Sequence, residues 1–175
     1  MATRARWSWL LGIGVLVLAA ATPAAAKGYR LRIGDAVPDL ELPRLEGGRL
    51  RLAALRGSLV ALSFYSPYCE PCHRELPVLR RVVERVARDT GAAIATVIIV
   101  TEGRPAADLV KQHAAARWLL DEKDQARAAF DPRTLPCTFL IDERGTVRHI
   151  NRGFGSGYEQ RVEKWLRGLA AAKGR

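Results

Sequence analysis

Two cysteines separated by a dipeptide, Cys69-Glu70-Pro71-Cys72, are the residues of this 175-residue chain whose type and spacing most directly imply chemistry. They follow an apolar run with the composition of a buried strand and open a segment of helical period. The first thiol therefore stands at a helix N-terminus, where unpaired backbone N–H groups and the positive end of the dipole favour a thiolate. Such placement lowers a thiol pKa from about 8.5 into the range of roughly 3.5 to 7.5. The pattern assigns Cys69 as the exposed nucleophile and Cys72, one turn deeper, as the resolving thiol of a dithiol/disulfide exchange. The same letters allow two other uses. One is a structural disulfide, although a bond across two residues constrains little unfolded-chain entropy. The other is covalent haem attachment, because His73 completes Cys-x-x-Cys-His. Met1 is the only methionine, which leaves His113 or His149 as a second axial ligand. The alternation of β and α segments does not suit a largely helical haem domain. Glu75 lies three residues after Cys72, on the same helix face. It is placed either to exchange protons with Cys72 or to form an ordinary surface ion pair.

Positioning these residues requires an α/β architecture. Continuous apolar runs over 58–63 and 93–100 predict strands buried on both faces. Between them a helix spans about 70–88, with Leu76, Leu79, Val82, Val83 and Val86 on its core side and arginines outside. Residues 40–45 and 49–52 flank Glu46-Gly47-Gly48 and predict a hairpin-like extension. Helices are predicted over 106–115 and 122–130, with a short strand over 118–120 between them. Segments 138–141 and 146–150 bracket Asp142-Glu143-Arg144-Gly145, a turn sequence. A last amphipathic helix covers about 158–171. Pro136 stands immediately before a strand, where a missing ladder donor is tolerated.

That order of elements resembles the thioredoxin fold. Within it, Gly34-Asp35-Ala36-Val37-Pro38-Asp39-Leu40 and Cys69-Glu70-Pro71-Cys72-His73-Arg74-Glu75-Leu76-Pro77 resemble the TlpA-like periplasmic thiol:disulfide oxidoreductases, which include the reductases of cytochrome c maturation. The resemblance implies a central mixed sheet flanked by helices, with an N-terminal β extension and an inserted αβ segment. It makes Pro136 the cis-proline facing the disulfide, with the Leu135 backbone offering strand-like hydrogen bonds to substrate. Glu75 matches an acid that this family carries near its active site. Glu70 and Pro71 within the motif resemble the reducing members, and no cofactor beyond a redox-active Cys69–Cys72 disulfide is implied. Three residues depart from the pattern. Ser63 stands where thioredoxins have a buried Asp, Tyr68 replaces a common Trp on the surface that meets a partner, and Cys137 is an additional thiol. Cys137 is read as buried and inert, or alternatively as a second disulfide partner within reach of Cys72 or a third metal ligand. Two further functions stay open. They are a copper-handling module using Cys69, Cys72 and a His or Cys137, and a thiol peroxidase-like antioxidant.

The composition is 49% hydrophobic and 26% charged, that of one globular domain, and three cysteines are too few for a disulfide scaffold. Arg4 and Arg6 precede an apolar run to Ala21, followed by Pro23 and Ala24-Ala25-Ala26, the order of a secretory signal. Residues 1–26 are read as a signal peptide or a retained membrane anchor, 27–33 as a linker and 34–175 as the thioredoxin-like domain. Net charge is +10, and removing residues 1–26 takes away only Arg4 and Arg6, leaving 26 − 18 = +8. Export makes nucleic acid an unsuitable partner for the arginine-rich helix face. The expected site of action is the periplasm, soluble or tethered to the inner membrane. The expected partners are a protein disulfide client, such as an apocytochrome or metallochaperone, and a membrane electron donor.

Overall fold

A computed structural model describes residues 31–172. The leader or anchor read over 1–26, and the linker up to residue 30, lie outside the described residues. Strands β1 (Glu41–Pro43) and β2 (Arg49–Arg51) pair antiparallel as the expected hairpin. The run after Ser58 becomes β3 (Leu59–Tyr65), every residue of it buried. Helix α1 (Glu70–Thr90) follows, then β4 (Ile94–Val100), α2 (Ala107–Gln112), β5 (Arg117–Leu120), α3 (Gln125–Phe130), β6 (Cys137–Ile141), β7 (Val147–Arg152) and α4 (Tyr158–Ala172). The main sheet runs β5-β4-β3-β6-β7, with β3, β4 and β5 mutually parallel and β6 and β7 antiparallel. It is the mixed thioredoxin-like sheet; β1–β2 supplies the N-terminal extension, and α2, β5 and α3 form the inserted segment.

The sheet's two faces are covered differently because alternate residues of each strand point to opposite sides. On one face Ala61 and Leu140 meet Leu79, Val82, Val83 and Val86 of α1 and Tyr158, Val162 and Leu166 of α4. On the other, Leu62, Phe64, Val97 and Phe139 pack against Leu42, Leu52, Ala126 and Phe130. Phe64, Phe130 and Phe139 meet edge to face at 5.0–5.9 Å. Two arginines tie α1 to α4: Arg85 donates to Glu159 at 2.7 Å and Glu163 at 2.9 Å, and Arg167 to Asp89 at 2.7 Å.

Two helices are shorter than their sequence periods predict. Ala106 offers no capping side chain to α2, and residues after Gln112 are spent turning the chain into β5 beside β4. Helix α3 starts at Gln125 because the buried Asp121 carboxylate captures the N–H groups of Ala126 and Arg127 at 2.9 and 2.8 Å, with Asp124 left-handed before them. No helix among the described residues is long and apolar enough to cross a membrane.

Candidate active site

The C-terminal end of β3 delivers the chain into a tight turn that ends on Cys69. Ser66 fixes this turn: its carbonyl accepts from the Cys69 N–H at 3.1 Å and its Oγ accepts from the Tyr68 N–H at 3.1 Å. The same Oγ donates to Glu102 at 2.8 Å, which holds the loop after β4 against the turn. Cys69 is the N-cap of α1 and its sulfur accepts from the Cys72 N–H at 3.3 Å, while Pro71 occupies the first turn, where no helical donor is lost. The two cysteines are joined as a disulfide. Cys69 is half-buried, whereas Cys72 has no exposed surface.

Around Cys69 lies a patch able to meet another chain. Tyr68 is 80% exposed. Gly103 adopts a φ of +61°, and a Cβ there would meet the Pro67 ring at 3.0 Å and the Tyr68 hydroxyl at 3.4 Å, so the 101–104 loop closely flanks this surface. Opposite, the Leu135–Pro136 peptide is cis, and Leu135 packs against the apolar cluster that contains Cys72 and Tyr65. The Pro136 carbonyl accepts from Gly153 at 2.8 Å, but the Leu135 backbone N–H and C=O make no hydrogen bond among the described residues. Glu70 is exposed and lies 3.6 Å from Arg74, one turn on, which partly offsets the acid in the motif.

Glu75 is not on the surface. It is 1% exposed, and its carboxyl accepts from Ser63 at 2.7 Å, from Tyr158 at 2.7 Å and from Thr138. The ordinary ion pair is thereby replaced by a buried hydroxyl cluster. Burial pushes the Glu75 carboxyl up from its ordinary value of 4.5, and hydroxyls that donate only to the ionised carboxylate pull the other way. Ser63, the departure from a buried Asp, is one of those hydroxyls. Thr138 and Tyr158 were not singled out by the sequence reading. Tyr158 shares the apolar stripe of α4 with Val162 and Leu166, and a phenol on a buried face needs a hydrogen-bonding partner. That requirement was the available signal.

Cys137 follows Pro136 directly, but it pairs in register with Phe64 and lies in the core on the far side of the sheet from α1. This corrects the expectation that it is within reach of Cys72: the alternation along β6 turns Thr138 toward Glu75 and Cys137 away. Its thiol is free and fully buried, and burial pushes its pKa up to about 12. His73 is half-buried, its Nε2 donating to the Pro67 carbonyl at 2.9 Å and its ring 5.4 Å from that of Tyr65.

A comparison of this chain with known families matches the AhpC/TSA family over residues 33–150. The chain belongs to the AhpC/TSA family. Among AhpC/TSA-like relatives, it is 34% identical to the thiol-disulfide oxidoreductase ResA of Geobacillus thermodenitrificans over 127 residues, which cover 69% of this chain and 70% of that protein. A Chlorobium tepidum structure described as a thiol:disulfide interchange protein DsbE superimposes with a TM-score of 0.67 at 25% identity, covering 80% of this chain and 99% of that one. The peroxidoxin BcpB of Mycobacterium tuberculosis gives 0.65 at 25% identity, covering 81% and 98%. The fold, the cysteine pair and these relatives make this AhpC/TSA member a thiol:disulfide oxidoreductase of the TlpA-like kind.

Proposed function

We propose that the protein is an exported reductase of protein disulfides, working through Cys69 and Cys72. In the reduced enzyme the Cys69 thiolate attacks a client disulfide, one client sulfur leaves as thiolate, and a mixed disulfide forms. Cys72 then gives its proton to the Glu75 carboxylate, and its sulfur attacks Cys69. The second client thiolate leaves and the Cys69–Cys72 disulfide closes. The client gains two electrons, and a membrane dithiol donor restores the enzyme. No cofactor beyond the cysteine pair enters this cycle.

The observation that carries the reading is the asymmetry of the pair. Cys69 is reachable at a helix N-terminus, beside exposed Tyr68 and the unbonded backbone of Leu135, while Cys72 is sealed. A client strand bonded to Leu135 would bring its disulfide to Cys69 and leave Cys72 for resolution. Pro136, by fixing that loop, and Glu70, Pro71 and Tyr68, by shaping the approach, form the rest of the client surface. Export is supported by the order of residues 1–26 and a periplasmic role by the resemblance of the motif segments. An apocytochrome or a metallochaperone is the class of client that such a location and chemistry suit.

The test is the reduction potential of the domain, with mass spectrometry after alkylation to show which cysteines pair. A Cys69–Cys72 couple near or below about −220 mV supports the reductase, and one near about −120 mV reverses the electron flow. The likeness to a peroxidoxin makes peroxide consumption the second assay. Rapid thiol-dependent peroxide turnover without disulfide reduction would move the assignment to a peroxidase. Stoichiometric Cu(I) retention without disulfide reduction would favour copper handling, but Cys137, on the far side of the sheet, is poorly placed as its third ligand.

A further inference from the structure

The hydroxyls around Glu75 form a closed figure. Oε1 contacts both Thr138 Oγ1 and, at 2.7 Å, the Tyr158 hydroxyl, and those two hydroxyls lie 3.1 Å from each other. Three oxygens in mutual contact make three edges, and each edge needs one proton. Thr138 and Tyr158 each bring one, since a hydroxyl has a single donor and two acceptor sites. With Glu75 ionised, two protons must serve three edges, and one edge is left as a bare oxygen–oxygen contact. With a proton on Oε1, three protons run in one direction around the ring, every oxygen donates once and accepts once, and Ser63 still donates to Oε2. Rings of this kind are cooperative in a buried, low-dielectric site.

Among the described residues no Lys, Arg or His pairs with Glu75. Of the other titratable groups near it, Tyr158 reaches it from α4, Cys72 stands one turn earlier on α1 and is held in the disulfide, and Cys137 on β6 points to the other face of the sheet. Arg161 bears on Tyr158, and Arg152 and Asp131 on Cys137.

We infer that Tyr158 and Thr138 are positioning residues that complete a hydrogen-bonded ring around a protonated Glu75, storing on that carboxyl the proton Cys72 gives up when the disulfide closes. The inference rests on the reading of Glu75 as the proton acceptor of Cys72. The step balances: the Cys72 thiol, the Glu75 carboxylate and the mixed disulfide become the Cys69–Cys72 disulfide, a Glu75 carboxylic acid and a client thiolate. On re-reduction a donor thiolate attacks Cys69, Cys72 leaves as thiolate, and it takes the proton back from Oε1. The ring then lacks one proton. Tyr158 reaches this site from 83 residues away in sequence, so the last helix helps set the proton balance of the first.

The ring fixes the sign of a mutational effect. Removing the Tyr158 oxygen opens the closed ring of the protonated form, which loses two hydrogen bonds and their cooperativity, while the ionised form loses one donated bond. In the oxidised full chain, Tyr158→Phe should therefore lower the Glu75 pKa, read by 13C NMR titration of labelled glutamate with Glu75→Gln for assignment. A hydroxyl that merely donates to a carboxylate stabilises the ionised form, and its loss raises the pKa. A raised or unchanged value overturns the ring. Thr138→Val should lower the pKa likewise and Thr138→Ser should restore it, which keeps the test open should Tyr158→Phe fold poorly. Failure of the underlying reading is separate: if Glu75→Gln leaves the pH profile of mixed-disulfide resolution unchanged, Glu75 is not the proton acceptor. If Glu75→Gln moves that profile while neither ring variant lowers the pKa, only the ring is wrong.

Discussion

Sulfur chemistry depends on which thiol can be reached, and the three cysteines of this chain occupy three different environments. Cys69 caps a helix and is half-buried, Cys72 lies beneath it without exposure, and Cys137 sits in the far core with its pKa raised to about 12. Replacing Cys72 with Ser should trap a mixed disulfide between Cys69 and a disulfide-bearing client, while Cys69→Ser should trap none. Non-reducing electrophoresis and intact mass distinguish the two. In the reduced native protein at pH 8, iodoacetamide should modify Cys69 and leave Cys137 untouched until denaturant is added, because at that pH a thiol titrating near 12 is almost wholly protonated. Prompt native labelling of Cys137 would mean that the start of β6 opens. The motif cysteines were legible because their chemistry follows from four adjacent letters. The state of Glu75 was not, since spacing along α1 gives a face but not what covers it.

The elements differ in how locally they are specified. Helix α1 has its N-cap, first-turn proline, apolar stripe and left-handed Gly91 all in its own sequence, and it formed almost as predicted, continuing through Pro77. Helices α2 and α3 depend on neighbours. For α3 the decisive group is Asp121, outside the helix and 3% exposed, which accepts two of its orphan N–H groups. Asp121→Ala should cost about 1 kcal/mol, visible as a lower midpoint in urea with an unchanged slope. A much smaller loss would show that α3 is held by Ala126 and Phe130 alone. Phe139, at the centre of the aromatic cluster between β3 and α3, is fully buried, and Phe139→Ala should cost about 3–5 kcal/mol in the same measurement.

For the whole molecule, the buried carboxyl makes stability depend on pH. The folded-state pKa of Glu75 lies above its ordinary 4.5, so the folded protein binds more protons than the unfolded chain between those values. Its contribution is fully present below about 4.5 and is lost as pH rises through the folded pKa. Other groups act with the opposite sign. His113 and His149 are pushed below 6.5 by burial, so their contributions are present above 6.5 and are lost as pH falls. Asp39 and Asp89, held below 3.8 chiefly by hydrogen bonds from Arg51 and Arg167, act only in stronger acid. The Glu75 contribution is therefore isolated by difference. Urea unfolding of wild type and Glu75→Gln across pH 4–9 should show a decline with rising pH in the wild type that the variant lacks. Parallel curves would mean that Glu75 titrates alike in both states.

By itself the sequence determined the redox pair, the α/β order and the two apolar strands that flank α1, because these depend on residues adjacent along the chain or repeating at a helical or strand period. The turn chemistry of both hairpins was local in the same way. Only the tertiary structure decided which groups meet across long separations. It turned Cys137 to the far side of the sheet, since a strand sends neighbouring residues to opposite faces. It also brought Ser63, Thr138 and Tyr158, from β3, β6 and α4, onto one carboxyl of α1. A buried acid takes its proton balance from the groups that enclose it, and no spacing in the sequence records that enclosure.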